Sequence, residues 1–163
     1  MGYTTDFKGF FEFDRTVDPS LVNYINKLSA TKRMKRDNDK IKKIFPNWKD
    51  FSFNGRLGEE GEFFIGGTGF AGQDHDDSII DFSQPPKFQP SLWCDWIIKD
   101  NKLIWDGGEK FYKYTEWLIY LIYNFFNPCN YLLNGEVNWQ GEDSLDKGVI
   151  KIVNNKITIR NGH

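Results

Sequence analysis

Residues 66–78, GGTGFAGQDHDDS, contain the densest group of glycines and polar side chains that could do chemistry. The spacing Gly67-x-Gly69-x-x-Gly72 matches the dinucleotide-binding fingerprint, in which the third glycine opens a helix whose amides hold a pyrophosphate. Here the residues after Gly72 are acidic and lead into a β-branched apolar pair, which is not a helical repeat. Carboxylates also repel a phosphate at close range. We therefore interpret these glycines as part of a polar loop.

The glycines are followed by four polar residues, Asp74, His75, Asp76 and Asp77. Such a group suits a hard cation, because Mg²⁺ and Mn²⁺ take carboxylate oxygens and Mn²⁺ also accepts an imidazole. On that interpretation the three aspartates are candidate metal ligands, and His75 is a candidate catalytic base. The alternative is a solvated loop in which Asp77 or Ser78 fixes the start of a strand. We favour the loop, for which no cofactor is expected.

Asp95 and Asp106 are a second candidate catalytic pair, because a two-residue turn at Asp100-Asn101 would place them opposite each other on adjacent strands. Asp and Asn tolerate the positive φ that a type I′ turn requires. Like charges across a ladder destabilise it, so one carboxyl is expected to be protonated, solvated or paired with a cation. A protonated carboxyl beside an ionised one is suited to acid–base chemistry. The alternative, which we favour, is that Asp106 caps a helix that begins near Glu109.

Charge is distributed unevenly along the chain. Seven Lys or Arg and two Asp lie between Lys32 and Lys43, a local charge of +5, whereas residues 57–86 carry seven acids and no Lys or Arg, a local charge of −7. Such asymmetry serves either an outside partner or the internal pairing of two facing segments, and we favour internal pairing. If the basic run instead binds phosphate groups, the candidate ligand-binding residues are four cations and one stacking ring: Lys32, Arg33, Lys35, Arg36 and Trp93.

These groups are expected to be positioned by one α+β domain over residues 1–163, with two main helices packed on a mainly antiparallel sheet. One helix begins at Asp18-Pro19, which reads as an N-cap followed by a first-turn proline. The other, near residues 109–126, is predicted to be long and apolar nearly all round, which places it in a core. Short strands are predicted over residues 62–65 and 78–82.

Two hairpins are the clearest local predictions. The turn at Asp100-Asn101 pairs Trp96 with Trp105, and a turn at Asn154-Asn155 joins the last two strands. If the Trp96 and Trp105 face meets the long helix, it is core, and if it faces water, it is a platform for a base or for a partner's aromatic side chain. We favour the core.

Composition limits the class of protein. The net charge of −2 argues against sequence-independent nucleic-acid binding, and the aromatic fraction of 17% supplies a core, a binding surface or a homodimer face. Cys94 and Cys129 are too few for a disulfide framework, which favours a reducing cytosol. The first residues lack the basic and apolar regions of a secretory signal, and the longest apolar run, residues 117–126, is about half of a membrane span.

Several segments together resemble a widespread family of small proteins of tailed bacteriophages and prophages: MGYTTDFKG, TKRMKRD, GEFFIGG with GQDHDDSIIDFSQPP, QPSLWCDW, WDGGEKFYKYTEWLIYLI, and YLLNGEVNWQGED with GVIKIVNN. The resemblance covers nearly the whole chain. It implies an accessory protein made in the cytoplasm of an infected bacterium, and it carries no activity or catalytic residues to transfer.

Three functions are compatible with these patterns. The leading hypothesis is a non-enzymatic phage binding protein that counters host defence by sequestering a nucleotide-like signal or by blocking a host protein. The alternative is a small metal-assisted hydrolase of phosphoesters or nucleotides, with the aspartates of residues 74–77 on Mg²⁺ or Mn²⁺ and His75 or Asp95 as base. The third is a structural or scaffolding protein. No membrane partner is expected.

Overall fold

The computed structural model of the chain describes residues 2–66 and 76–162, which divide into two compact units. The first unit contains Met1–Val22 and Asp95–His163, and the second contains Asn23–Cys94. The described elements are, in chain order, β1 (Thr5–Phe13), α1 (Pro19–Ala30), β2 (Lys35–Arg36), α2 (Asn38–Ile44), a 3-10 turn (Trp48–Phe51), β3 (Ile79–Asp81), β4 (Trp96–Lys99), β5 (Lys102–Trp105), α3 (Tyr114–Leu121), a π-helical turn (Ile122–Phe126), β6 (Leu133–Gly141), β7 (Lys147–Val153) and β8 (Lys156–Asn161). A single domain over residues 1–163 stays a prediction.

The first unit is built on a six-stranded sheet in the order β4-β5-β1-β6-β7-β8, and every neighbouring pair is antiparallel. This confirms the α+β class with a mainly antiparallel sheet. The described residues form three α-helices rather than two main ones. None of these helices is long and apolar enough to cross a membrane.

Both predicted hairpins are present with the predicted register. Asp100 and Asn101 have φ angles of 52° and 62°, and the turn sets Trp96 opposite Trp105. Asn154 and Asn155 have φ angles of 47° and 69°. Positive φ at both central residues gives a two-residue turn whose twist matches that of the flanking strands.

The prediction of a long apolar helix near residues 109–126 is wrong. The α-helix begins only at Tyr114 and has 8 residues, and the next 5 form a π-helical turn in which Asn127 N–H donates to Ile122 O at 2.8 Å. Lys110 and Lys113 have φ angles of 59° and 61°, which a right-handed helix cannot contain. Phe111, the first buried residue of this segment, therefore lies in irregular backbone before α3 begins.

The face that carries Trp96 and Trp105 is a core face. Trp96 has no solvent exposure, and its indole N–H donates to Tyr114 O at 3.0 Å. The Phe7 ring centroid lies 5.5 Å from that of Trp96 and 5.3 Å from that of Trp105. Phe111 closes the same cluster at 5.4 Å from Trp96. Edge-on and tilted contacts at these distances are the favoured arrangements of aromatic rings.

The second unit has less regular structure. Strands β2 and β3 form a small antiparallel pair, and Ile41, Leu57 and Phe64 form a buried cluster beside it. The predicted strand over residues 78–82 is present as β3, but the one over residues 62–65 is wrong. That segment is a hydrogen-bonded turn in which Phe64 N–H donates to Gly61 O at 3.0 Å.

Candidate functional site

The two arginines of the basic run are buried in the second unit. Arg33 is 2% exposed, and its Nη2 donates to Glu62 O and Phe64 O, both at 2.9 Å. Its Nε donates to Gln89 Oε1 at 3.1 Å. A carbonyl-rich interior suits a guanidinium, which offers several donors in a fixed plane. Arg33 is therefore committed to holding residues 62–64 in place.

Arg36 holds the start of β3. Its Nη1 donates to Ser78 Oγ at 2.7 Å and lies 3.1 Å from Asp76 Oδ2. Lys35, the preceding residue, pairs with Glu60 at 3.6 Å. These contacts join the positive and negative segments inside one unit, which is the internal pairing that we favoured. A phosphate-binding role for either arginine requires the guanidinium to leave these partners, and it stays a prediction.

The predicted metal ligands are only partly described. Asp74 and His75 lie outside the described residues, as do the three fingerprint glycines, Gly67, Gly69 and Gly72. Asp76 accepts hydrogen bonds from Ser78 N–H at 2.8 Å, from Ser78 Oγ and from Arg36. Burial alone would raise the pKa of Asp76, but the Ser78 hydrogen bonds and the Arg36 charge outweigh it and lower the pKa. Asp77 is exposed. Within residues 2–66 and 76–162, no three His, Cys, Asp or Glu side chains lie together as a metal site requires.

An exposed surface of the second unit combines aromatic rings with lysines. Phe82 is 50% exposed, and Lys32 Nζ lies 5.2 Å from its ring centroid. Phe88 is 54% exposed, and Lys87 Nζ lies at the same distance from its ring. We call this the ring-and-lysine surface, which comprises Lys32, Lys35, Glu60, Phe82, Lys87 and Phe88.

Glu60 contacts two separate segments of this surface, one at Lys35 and one at Lys87. One carboxylate oxygen accepts from Lys87 N–H at 2.7 Å, and the other lies 3.6 Å from Lys35 Nζ. Lys35 lies opposite Asp81 in the β2–β3 pair, and Phe82 follows directly. The backbone therefore brings both rings and all three lysines to one region. Two of the lysines, Lys32 and Lys35, were candidate ligand residues on sequence grounds.

Trp93, the predicted stacking ring, is half-buried, and Ser91 Oγ donates to its carbonyl at 3.1 Å. Trp93 is a candidate by its residue type, whereas Phe82, Lys87 and Phe88 were not among the predicted ligand residues. A signal for the last two was present, because a Lys-Phe pair directly after Pro85-Pro86 lies in an extended connection where a large ring is hard to bury.

Asp95 and Asp106 form a pair in the first unit, as the hairpin register predicted. Asp106 N–H donates to Asp95 O at 2.9 Å, which extends the β4–β5 pairing by one step. A side-chain carbon added at Gly108 would lie 2.9 Å from both Asp106 Oδ1 and Asp95 Oδ2, so these oxygens are within about 6 Å of each other. The glycine lets the backbone approach both carboxyls.

The two carboxyls differ in environment. Asp95 is 8% exposed, and burial, with a further contribution from the Asp106 charge, raises its pKa to about 7. Asp106 is exposed, its pKa is raised by partial burial, and a 2.7 Å hydrogen bond from Gly108 N–H opposes that rise. The predicted helix cap is wrong, because Asp106 accepts from Gly108 in a turn and α3 begins only at Tyr114. Burial therefore raises the pKa of both carboxyls, and that of the more deeply buried Asp95 reaches about 7.

Because the pKa of Asp95 is raised, we expect the free energy of unfolding of this protein to depend on pH. The folded chain binds the Asp95 proton more tightly than the unfolded chain, so the free energy of unfolding falls as pH rises from about 4 to about 7. Asp95→Asn removes this loss of stability, because asparagine carries no proton that must be released as pH rises. One pKa unit corresponds to about 1.4 kcal/mol, and solvent screening discounts the total, so we expect the variant to be about 2 kcal/mol more stable than the parent at pH 8.

Urea denaturation at pH 5 and pH 8 measures this effect. The advantage of Asp95→Asn should grow between the two pH values, whereas Asp6→Asn, which changes an exposed carboxyl on β1, should show the same small difference at both. An advantage that does not grow with pH would contradict the assignment of the buried proton to Asp95.

The chain matches no protein-family model, no curated protein and no solved structure. What it binds is therefore inferred from its own contacts, charges and exposed rings.

Proposed function

We propose that this chain is a binding protein that holds a nucleotide-like anion on the ring-and-lysine surface. One observation supports this most directly: Phe82 and Phe88 are each about half exposed, and each has a lysine ammonium 5.2 Å from its ring centroid. Nucleotides combine a flat base with a phosphate, and proteins bind them by stacking the base on an aromatic ring and pairing the phosphate with a cation.

Charge supports the same assignment. Among the described residues, neither Lys32 nor Lys87 forms an ion pair, whereas Lys35 is paired with Glu60. Lys32 and Lys87 can therefore receive a phosphate without first giving up a carboxylate. A phosphate at Lys35 would instead compete with Glu60 for the same ammonium.

The carboxylates on and beside this surface favour binding of a nucleotide over catalysis. Glu60 is occupied by Lys35 and by the Lys87 amide, and Asp81 accepts from both the N–H and the hydroxyl of Ser83. Hydrogen bonds to Ser83 lower the pKa of Asp81, which makes it a weaker base. We therefore expect a bound nucleotide to be recovered intact after the protein is denatured.

The resemblance to proteins of tailed bacteriophages and prophages supplies a setting for this proposal. In an infected bacterium, a protein that sequesters a nucleotide signal lowers its free concentration and so blunts a host defence that depends on it. Binding without turnover would require this accessory protein in amounts comparable to those of the signal.

Charge reversal at Lys32 and at Lys87 tests the proposal. In isothermal titration with a cyclic dinucleotide and with a nucleoside triphosphate, Lys32→Glu and Lys87→Glu should each weaken binding by roughly tenfold, because each replaces attraction for phosphate with repulsion. Lys43→Glu is the matched control, since Lys43 is an exposed lysine of the same unit at the end of α2. No heat with any nucleotide, or equal losses in all three variants, would contradict the proposal.

The hydrolase alternative keeps one specific observation in its favour, the Asp95 pKa of about 7. A general base works best when its pKa lies near the working pH. Asp76, by contrast, is already held by Arg36 and Ser78. Release of nucleotide product by catalytic amounts of protein with Mg²⁺ or Mn²⁺, lost in Asp95→Asn, would favour this alternative. Absence of both binding and turnover would favour a scaffolding role.

A further inference from the structure

β8 is the last strand of the six-stranded sheet, and no described strand pairs with its outer side. Gly162 N–H donates to Lys147 O at 2.8 Å, which marks that position as a hydrogen-bonded pair of the β7–β8 ladder. Because antiparallel residues alternate between hydrogen-bonded and non-hydrogen-bonded pairs, Ile157, Ile159 and Asn161 direct their N–H and C=O groups outward. These groups form a template for another strand.

The two faces of this edge differ. Ile157 and Ile159 lie opposite the buried Ile152 and Ile150, and Ile159 is 50% exposed. Thr158 and Arg160 lie on the other face, where a cavity of about 180 Å³ is lined by both of them and by Glu136, Val149, Lys151 and the neighbouring Ile159. A strand added here would meet apolar side chains on one face and polar, basic ones on the other.

The edge carries charge of a single sign. Residues 147–161 contain four cations, Lys147, Lys151, Lys156 and Arg160, and no acid. Lys151 pairs loosely with Glu136 at 3.9 Å. Arg160 has no side-chain hydrogen bond or ion pair within the described part of the chain. Its guanidinium is therefore available to a carboxylate, which it can bind in two-point fashion.

We propose that β8 takes up an extended segment of another protein in which apolar and acidic residues alternate. Backbone hydrogen bonds to Ile157, Ile159 and Asn161 would supply affinity, and the alternation would set the register. Apolar side chains of the segment pack beside Ile159, and acidic side chains meet Arg160 over the cavity. This surface belongs to the first unit and is separate from the nucleotide proposal.

A second copy of the chain fits this edge less well. It would bring Lys156 and Arg160 of one copy against the same two cations of the other, and like charges across a ladder destabilise it. Charges on edge strands also serve to block pairing in general. Here the charges lie on one face only and alternate with the half-buried Ile157 and the exposed Ile159, which disfavours pairing with a basic strand or a second copy but not with an acidic strand.

Binding of a designed peptide tests the proposal. The probe is a labelled peptide of alternating valine and glutamate, matched in length to β8, and anisotropy at low and high salt is the readout. We expect binding that weakens with salt and that falls roughly tenfold in Arg160→Glu. Ile159→Pro should abolish it, because proline lacks the outward N–H while every β7–β8 hydrogen bond is retained.

Two controls keep these results interpretable. Lys99→Glu makes the same charge change on β4, the opposite edge of the sheet, and should leave binding unchanged. A valine–lysine peptide should not bind. The proposal is overturned if the valine–glutamate peptide does not bind, if both peptides bind equally, or if Arg160→Glu and Lys99→Glu behave alike. A dimer that Ile159→Pro dissolves would identify a second copy as the occupant and would also overturn it.

Discussion

Replacing Arg33 with methionine is expected to lower the free energy of unfolding by about 3 kcal/mol. Methionine fills much of the same space but donates no hydrogen bond. Phe64 O and Gln89 Oε1 each lose a donor, whereas Glu62 O keeps its 2.6 Å bond from Gln89 Nε2. A buried acceptor that loses its donor costs about 1–3 kcal/mol, and two such losses give the expected total.

Denaturation by urea, followed by circular dichroism, measures the loss. Lys32→Met is the matched control, because it makes the same kind of change at the adjacent, half-buried residue and should alter stability by less than about 0.5 kcal/mol. If the two variants are equally stable, Arg33 does not hold the second unit together and becomes available again as a ligand-binding residue.

Trp96→Ala is expected to cost the first unit about 4 kcal/mol, which lies within the range measured for buried aromatic residues. The side chain is fully buried, and its ring contacts Phe7, Phe11 and Phe111 at centroid distances of 5.4–5.9 Å. Alanine leaves a cavity among these rings, which the surrounding structure closes only in part. It also removes the indole donor from Tyr114 O.

Two further variants separate these contributions. Trp96→Phe keeps an aromatic ring and loses mainly the hydrogen bond, so it should cost less than half as much as alanine. Trp105→Ala removes a half-buried ring on the same face and should also cost less. Equal losses for Trp96→Ala and Trp105→Ala would contradict the description of Trp96 as the centre of the core.

The parts of the fold that the sequence predicts well are those that short-range geometry determines. The hairpins at Asp100-Asn101 and Asn154-Asn155 depend on two residues each, and their turns set the register of the flanking strands. The same register predicted the Asp95 and Asp106 pair. The start of α3 was mispredicted because nothing in a lysine side chain signals the positive φ of Lys110 and Lys113.

The site was harder to predict because charge patterns do not say which cation is buried. In the basic run, Arg33 and Arg36 are buried, whereas Lys32 and Lys35 are partly exposed. Residue type was the missed signal, since a guanidinium is weakly hydrated and donates in a fixed plane, whereas an ammonium is strongly hydrated and stays in water. The exposed rings could not be assigned to one surface without the contacts of Glu60.

The most direct test of the nucleotide-binding proposal is a nuclear magnetic resonance titration that follows phenylalanine ring signals while a cyclic dinucleotide is added. A base stacked on the ring-and-lysine surface should shift the ring protons of Phe82 and Phe88, and Lys32→Glu should suppress those shifts. Ring signals of both residues that stay in place at saturating nucleotide, or shifts confined to other phenylalanines, would contradict the assignment of this surface as the binding site.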